Sequence, residues 1–205
     1  MNIITISREF GSGGRELGKR LADHLGYDYY DKEIISQIAE NKKLDQAFVE
    51  KVLENSAKPV FSLTFRNTFA MSASYAVKTS LMLEERKVIE DIAKLGKNCI
   101  IVGRNADVIL QNYQPFNVFV YADMQSKLIR CKERAPQQER LTEKELKQKI
   151  LKVDKARKET RMIVTNRDWG KKESYDLMIN TTDRSIKSLV PAVATFAAAY
   201  FKDGE

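Results

Sequence analysis

The opening of the chain constrains its fold more than any other stretch. Ile3-Ile4-Thr5-Ile6 is apolar almost throughout, Gly11, Gly13 and Gly14 follow closely, and Leu17, Leu21 and Leu25 then recur every four residues until Gly26. A short apolar run is the pattern of a strand buried on both faces. A four-residue apolar repeat closed by glycine is that of an amphipathic helix with a left-handed stop. In the turn between them, glycines let the backbone curl so that successive N–H groups point inward at the positive end of a helix. Strand, glycine turn and helix in that order predict the first unit of a parallel α/β sheet, with an anion site on the turn.

The same patterns recur downstream. Cys99 to Val102, Val118 to Tyr121 and Leu177 to Ile179 read as further buried strands, and Tyr27 to Tyr30 as a weaker one. Lys32 to Leu95 keeps a helical period nearly throughout, with Pro59 as its one proline, and is expected to hold several helices inserted between the second and third strands. Thr142 and Glu145 form a capping box, with Leu141 and Leu146 placed for a hydrophobic staple. In the helix they open, Leu146, Ile150 and Val153 make an apolar stripe, and Arg157 and Arg161 project from one face. A mostly apolar last helix spans about Ile186 to Phe201, with Pro191 as a kink or as its first turn. With 205 residues, 43% of them hydrophobic, the chain supports one core, so we expect a single domain over 1–205 with a mobile lid.

Of the net charge of +7, the segment from Gln125 to Lys172 holds an excess of Lys and Arg, and the rest is roughly balanced. Beside a glycine turn this segment reads as a clamp on a polyphosphate, or more plainly as a solvated helix surface. Nucleic acid is a poorer fit, because no aromatic side chain interleaves the charges before Trp169. The longest apolar stretch, Ala192 to Phe201, is well short of a membrane helix, and no secretory leader is visible. Cys99 and Cys131 have no metal spacing, and His24 is the only histidine, so a catalytic cysteine and a metal centre are not expected. These features predict a cytoplasmic location with reduced thiols.

Within the turn, Glu16 stands where a dinucleotide fold would place its third glycine, although Asp31 lies about where a ribose-binding acid would be. A turn without a ligand is the plainer alternative. Against the common phosphate-loop ending of glycine, lysine and a hydroxyl residue, Gly14 replaces the lysine, Arg15 the hydroxyl, and Arg8 the first glycine. Arg8 and Arg15 can grip phosphate through planar forks, and Ser12 is the candidate hydroxyl for magnesium, water being the other. Arg15 is the nearest substitute for the missing lysine, and solvent is its plainer destination. Asp123, after the fourth strand, is placed either to hold magnesium through water or to cap a helix.

Taken together, Ile4 to Arg15, Tyr29 to Glu33, Ile101 to Asp107, Val153 to Arg157, Trp169-Gly170 and Ser174 to Leu177 resemble the cytidylate-kinase-like proteins, a divergent branch of the nucleoside monophosphate kinases within the P-loop kinases. The resemblance implies an α/β three-layer fold with a five-stranded parallel sheet, an acceptor-binding helical insertion at 32–96 and an arginine-rich lid at 124–172. It also implies ATP with Mg2+ as donor and CMP, dCMP or a similar small phosphorylated acceptor. The donor phosphates would lie on Arg8, Gly11, Ser12, Gly13, Gly14, Arg15 and Glu16. The acceptor would meet Asp31, Arg104 and Asp107, and Arg15, Arg104, Arg130, Arg157 and Arg161 would serve the transfer, with Arg134 as a further lid arginine. Asn105 stands where the family has aspartate, and Gln37 where it has an arginine. The alternative is a regulatory module that binds nucleotide with little turnover, and a homodimer is open in either case.

Overall fold

The computed structural model describes residues 1–54, 65–135 and 141–202. Five strands form one parallel sheet in the order β2-β3-β1-β4-β5, where β1 is Ile3–Arg8, β2 Asp28–Tyr30, β3 Cys99–Val102, β4 Phe116–Tyr121 and β5 Leu177–Asn180. Ile4 pairs with Ile100 of β3 on one side and with Phe116 of β4 on the other, so β1 is central. Successive side chains of a strand point to opposite faces. Ile4 and Ile6 accordingly enter one core with Ile100 and Val102, while Ile3 enters another with Cys99 and Ile101. Both faces are covered, which is why these strands read as unbroken apolar runs.

Helix α1 (Gly14–Leu25) and helix α8 (Ile186–Lys202) cover the first face, burying Leu17, Leu21, Val190 and Val193 against the sheet. Helices α2 (Lys32–Lys42), α3 (Gln46–Glu54), α4 (Phe65–Lys94) and the short α5 (Ala106–Ile109) cover the second through Ile34, Ile38, Leu81 and Ile89. Each fully buried Leu or Ile contributes about 1.5–3 kcal/mol. The expected helical insertion after β2 is therefore α2 to α4, and Pro59 lies outside the described residues.

The fourth strand leads into α6 (Met124–Arg134) and α7 (Glu143–Thr165), joined by a small cluster of Leu128, Leu146 and Ile150. The capping box is present, since Thr142 accepts from the Glu145 backbone and the Glu145 side chain from that of Thr142. Leu141 is exposed rather than stapled. Helix α8 continues through Pro191, five residues beyond its start, so Pro191 is not its first turn. No helix among the described residues is long and apolar enough to cross a membrane.

Candidate phosphate-binding site

The glycine turn lies between β1 and α1 at the carboxyl edge of the sheet, beside the point where the chain switches from one side of β1 to the other. Ligands of open α/β sheets bind there. Gly11 and Gly13 have φ of 78° and 87°, a left-handed conformation that favours glycine. Gly13 caps α1 without a side-chain hydrogen bond, and the first N–H groups of a helix have no partner within it.

The space around the glycines is filled by the chain itself. A Cβ at Gly13 would lie 2.5 Å from Ile186 Cδ1, and one at Gly14 2.5 Å from Arg8 Cβ. A side chain at either position would therefore meet packed protein, which is a packing requirement for glycine there. Ser12 is fully buried, donates its hydroxyl to the Glu9 carbonyl at 2.9 Å, and accepts from the Thr181 hydroxyl at 2.7 Å on its own carbonyl. Its hydroxyl closes the turn rather than facing a magnesium ion.

Next to this turn, three arginines from three elements line a cleft of about 80 Å³ together with Glu85, Asn105 and Trp169. They are Arg8 at the end of β1, Arg104 after β3 and Arg157 on α7. Gly103, Arg104 and Asn105 all have positive φ, 79°, 61° and 52°. Two consecutive non-glycine residues in that region store backbone strain of the kind held at ligand sites. Gly103 is required for a second reason, since a Cβ there would collide with Arg8 Nη1. The Arg8 guanidinium thus packs against Gly103, with Asp31 at 3.6 Å from its other nitrogen. Arg157 donates to the Arg8 carbonyl at 2.9 Å and stands over the Phe10 ring at 5.9 Å. Arg104 faces Glu85 at 3.5 Å.

The electrostatics favour an anion. Burial, followed by the fields of Arg157, Arg104 and Arg15, pushes the Arg8 guanidinium down to about 9, and only Asp31 opposes the shift. Burial pushes the Glu85 carboxyl up to about 7, with Arg104 pulling it back. Four arginines therefore share three carboxyls, Asp31, Glu85 and Asp154, and repulsion among the arginines remains. A phosphate between the arginines would relieve that repulsion and be gripped by planar forks.

The model of the cytidylate kinase-like family matches residues 3–183. The chain belongs to the cytidylate kinase-like family. No curated protein matches its sequence. Among solved structures, an uncharacterized protein from Eubacterium ventriosum is 24% identical with a TM-score of 0.71, over 97% of this chain and 99% of that one. Two shikimate kinases have the same fold. One, from Bacteroides thetaiotaomicron, is 18% identical with a TM-score of 0.56 over 95% of this chain and 97% of its own. The other, from Acinetobacter baumannii and solved with shikimate, is 13% identical with a TM-score of 0.53 over 98% and 94%. The three-layer fold with its parallel sheet is that of the P-loop kinases.

In this member of the cytidylate kinase-like family the residues singled out in sequence fall into two groups. Arg8, Arg15, Asp31, Arg104 and Arg157 come together. Arg15 forks onto Asp31 at 2.5 and 3.4 Å while about half of its side chain stays exposed to solvent, so it is not aimed along the turn. The others are engaged elsewhere. Arg161 and Asp107 form a buried pair at 2.6 Å between α7 and α5. Arg130 binds the carbonyls of Thr181 and Arg184, and Glu16 holds Arg20 and Arg134. Asp123 caps α6 by accepting from the Ser126 backbone at 2.7 Å, so of its two readings the cap is the one seen. Gln37 pairs with Asn41 on the outside of α2. Glu9, Glu85, Lys127 and Asp154 went unnoticed in sequence as site residues. Lys127 and Glu9 are 118 residues apart and Asp154 and Phe10 144, and the local signal is the pairing of Asp154 with Arg157 three residues on.

Proposed function

We propose that this protein transfers the γ-phosphoryl group of ATP to a small phosphorylated acceptor, a nucleoside monophosphate of the CMP or dCMP kind. The observation that carries the reading is the convergence of Arg8, Arg104 and Arg157 on one cleft beside the glycine turn. Phosphoryl transfer asks a protein mainly to align donor and acceptor and to neutralise charge on the transferring group. In this reading the first turn of α1 and the Gly11–Gly14 backbone hold the donor phosphates. Arg104, on its strained turn, anchors the acceptor phosphate. Arg8 and Arg157 lie between the two and meet the charge that develops during transfer. Asp31 keeps Arg15 and Arg8 in place. ATP supplies the phosphoryl group, and Mg2+ would come with it. Among the described residues no group of three or more His, Cys, Asp or Glu can hold a metal, so phosphate oxygens and water would be its ligands. Residues 1–205 then act as one domain, with 32–96 on the acceptor side and 124–172 as the closing arm.

A second reading, a regulatory nucleotide-binding module, draws support from the fork on Asp31 that engages Arg15, the nearest substitute for the usual lysine. Binding and turnover have to be measured apart. Calorimetry on the Glu85→Gln background, which removes the carboxylate that Arg104→Ala would strand, is expected to show Arg104→Ala weakening CMP at least 10-fold while ADP changes less than threefold. Equal losses for both ligands, or none, would remove Arg104 as the acceptor's anchor. Shikimate belongs in the same panel, and binding by shikimate alone would reassign the acceptor.

A further inference from the structure

The arm formed by α6 and α7 reaches under the glycine turn and takes hold of its backbone. Asp154 of α7 accepts the Phe10 N–H on Oδ1 at 2.6 Å. Lys127 of α6 has 8% of its side chain exposed and lies between two carboxylates, 2.9 Å from Glu9 Oε2 and 3.6 Å from Asp154 Oδ2. Glu9 Oε2 also accepts the Ala122 N–H at 3.2 Å, tying the turn to the end of β4. A Cβ at Gly11 would lie 3.0 Å from the Lys127 carbonyl, so the turn rests directly on α6. One turn of helix beyond Asp154, Arg157 donates to the Arg8 carbonyl and lines the cleft. The residues before Gly11 are thus gripped on their N–H side by Asp154 and on their C=O side by Arg157, both carried by one rigid helix. Asp154 also meets Arg157 at 3.6 Å, so Glu9, Lys127, Asp154 and Arg157 form one linked network in which moving any member changes the partners of the next.

We propose that Asp154 and Lys127 are positioning residues that set the shape of the glycine turn, so that α7 couples the acceptor side of the cleft to the donor side. This rests on the proposed phosphoryl transfer, with donor phosphates on the turn and the acceptor at Arg104 and Arg157. A ligand that draws Arg157 to its phosphate shifts α7, and Asp154 carries that shift to Phe10. Donor and acceptor then change each other's affinity by the same factor, as linkage requires. Lys127 acts through Glu9 and Asp154 rather than as a substitute for the lysine absent from the turn.

The test uses the full chain, with ADP and CMP as probes. Calorimetry is expected to show ADP and CMP strengthening each other at least fivefold in wild type. Asp154→Ala should weaken ADP at least 10-fold, bring the coupling factor to about one and speed hydrogen exchange at the Phe10 amide. Asp154→Asn keeps an oxygen for that amide and should retain most ADP affinity. Lys127→Arg should retain coupling that Lys127→Met loses. A merely structural role would lower thermal stability in these variants while leaving the coupling of the folded fraction intact, and that result overturns the inference. So does an Asp154→Ala variant that binds ADP as wild type does, or a wild type that binds both ligands without coupling. If wild type binds no ADP, the proposed function itself has failed and the inference goes with it.

Discussion

Glu85 shows how one buried side chain can tune the cleft. It is 7% exposed and lies 3.5 Å from Arg104, yet its Oε1 accepts no hydrogen bond among the described residues. Burial raises its carboxyl from 4.5 to about 7. Between those two values the folded state holds a proton that the unfolded chain has lost. The stability contributed by Glu85 is therefore full below about 4.5 and is lost as the pH rises through about 7. At about 1.4 kcal/mol per unit, the full change is roughly 3 kcal/mol. Urea unfolding from pH 4.5 to 7.5 should show wild type losing stability relative to Glu85→Gln across that window. Parallel curves would mean that Glu85 is ionised throughout. The same proton bears on function, because an ionised Glu85 competes with phosphate for Arg104.

The elements were legible in the sequence wherever a local rule fixes them. The apolar runs of β1 and β3, the Gly26 stop of α1 and the Thr142 capping box are each decided by neighbours in the chain. β2 was weaker because it is an edge strand with no fully buried residue, so its apolar pattern is diluted. What faces α7 could not be read from its sequence, for a geometric reason. Arg157 and Arg161 are one turn apart on the same stripe, but that turn carries Arg161 past the cleft and against Asp107 on α5. Sequence spacing fixes which residues share a face, not what lies opposite each of them. Asp107→Asn should accordingly cost stability, about 3–5 kcal/mol for breaking a buried ion pair, with ADP affinity of the folded protein unchanged within threefold. Denaturant unfolding and calorimetry measure the two quantities. Unchanged stability with weaker CMP binding would return Asp107 and Arg161 to the acceptor site.

For the molecule as a whole, the sheet order puts the carboxyl ends of β1, β3 and β4 side by side, and this brings residues 8, 104 and 157 to one place. The glycine turn and the family resemblance pointed to that edge. What they could not supply were the contacts made across the chain, such as Arg104 with Glu85, Arg15 with Asp31, and Lys127 with Glu9 and Asp154. Those contacts decide which arginines are left facing the cleft and which serve the scaffold. In the proposed reaction this cleft transfers a phosphoryl group without a lysine in the turn. A multiple-turnover reaction with ATP, Mg2+ and a panel of nucleoside monophosphates, following ADP and the phosphorylated acceptor together, measures this. Many turnovers per protein are expected, with equal amounts of both products. Arg157→Ala should lower the rate at least about 10²-fold, which corresponds to about 2.7 kcal/mol of lost transition-state stabilisation. ADP formation that never exceeds one equivalent per protein with any acceptor, in a protein that still binds ADP, would contradict the proposed reaction and leave the regulatory module as the better description.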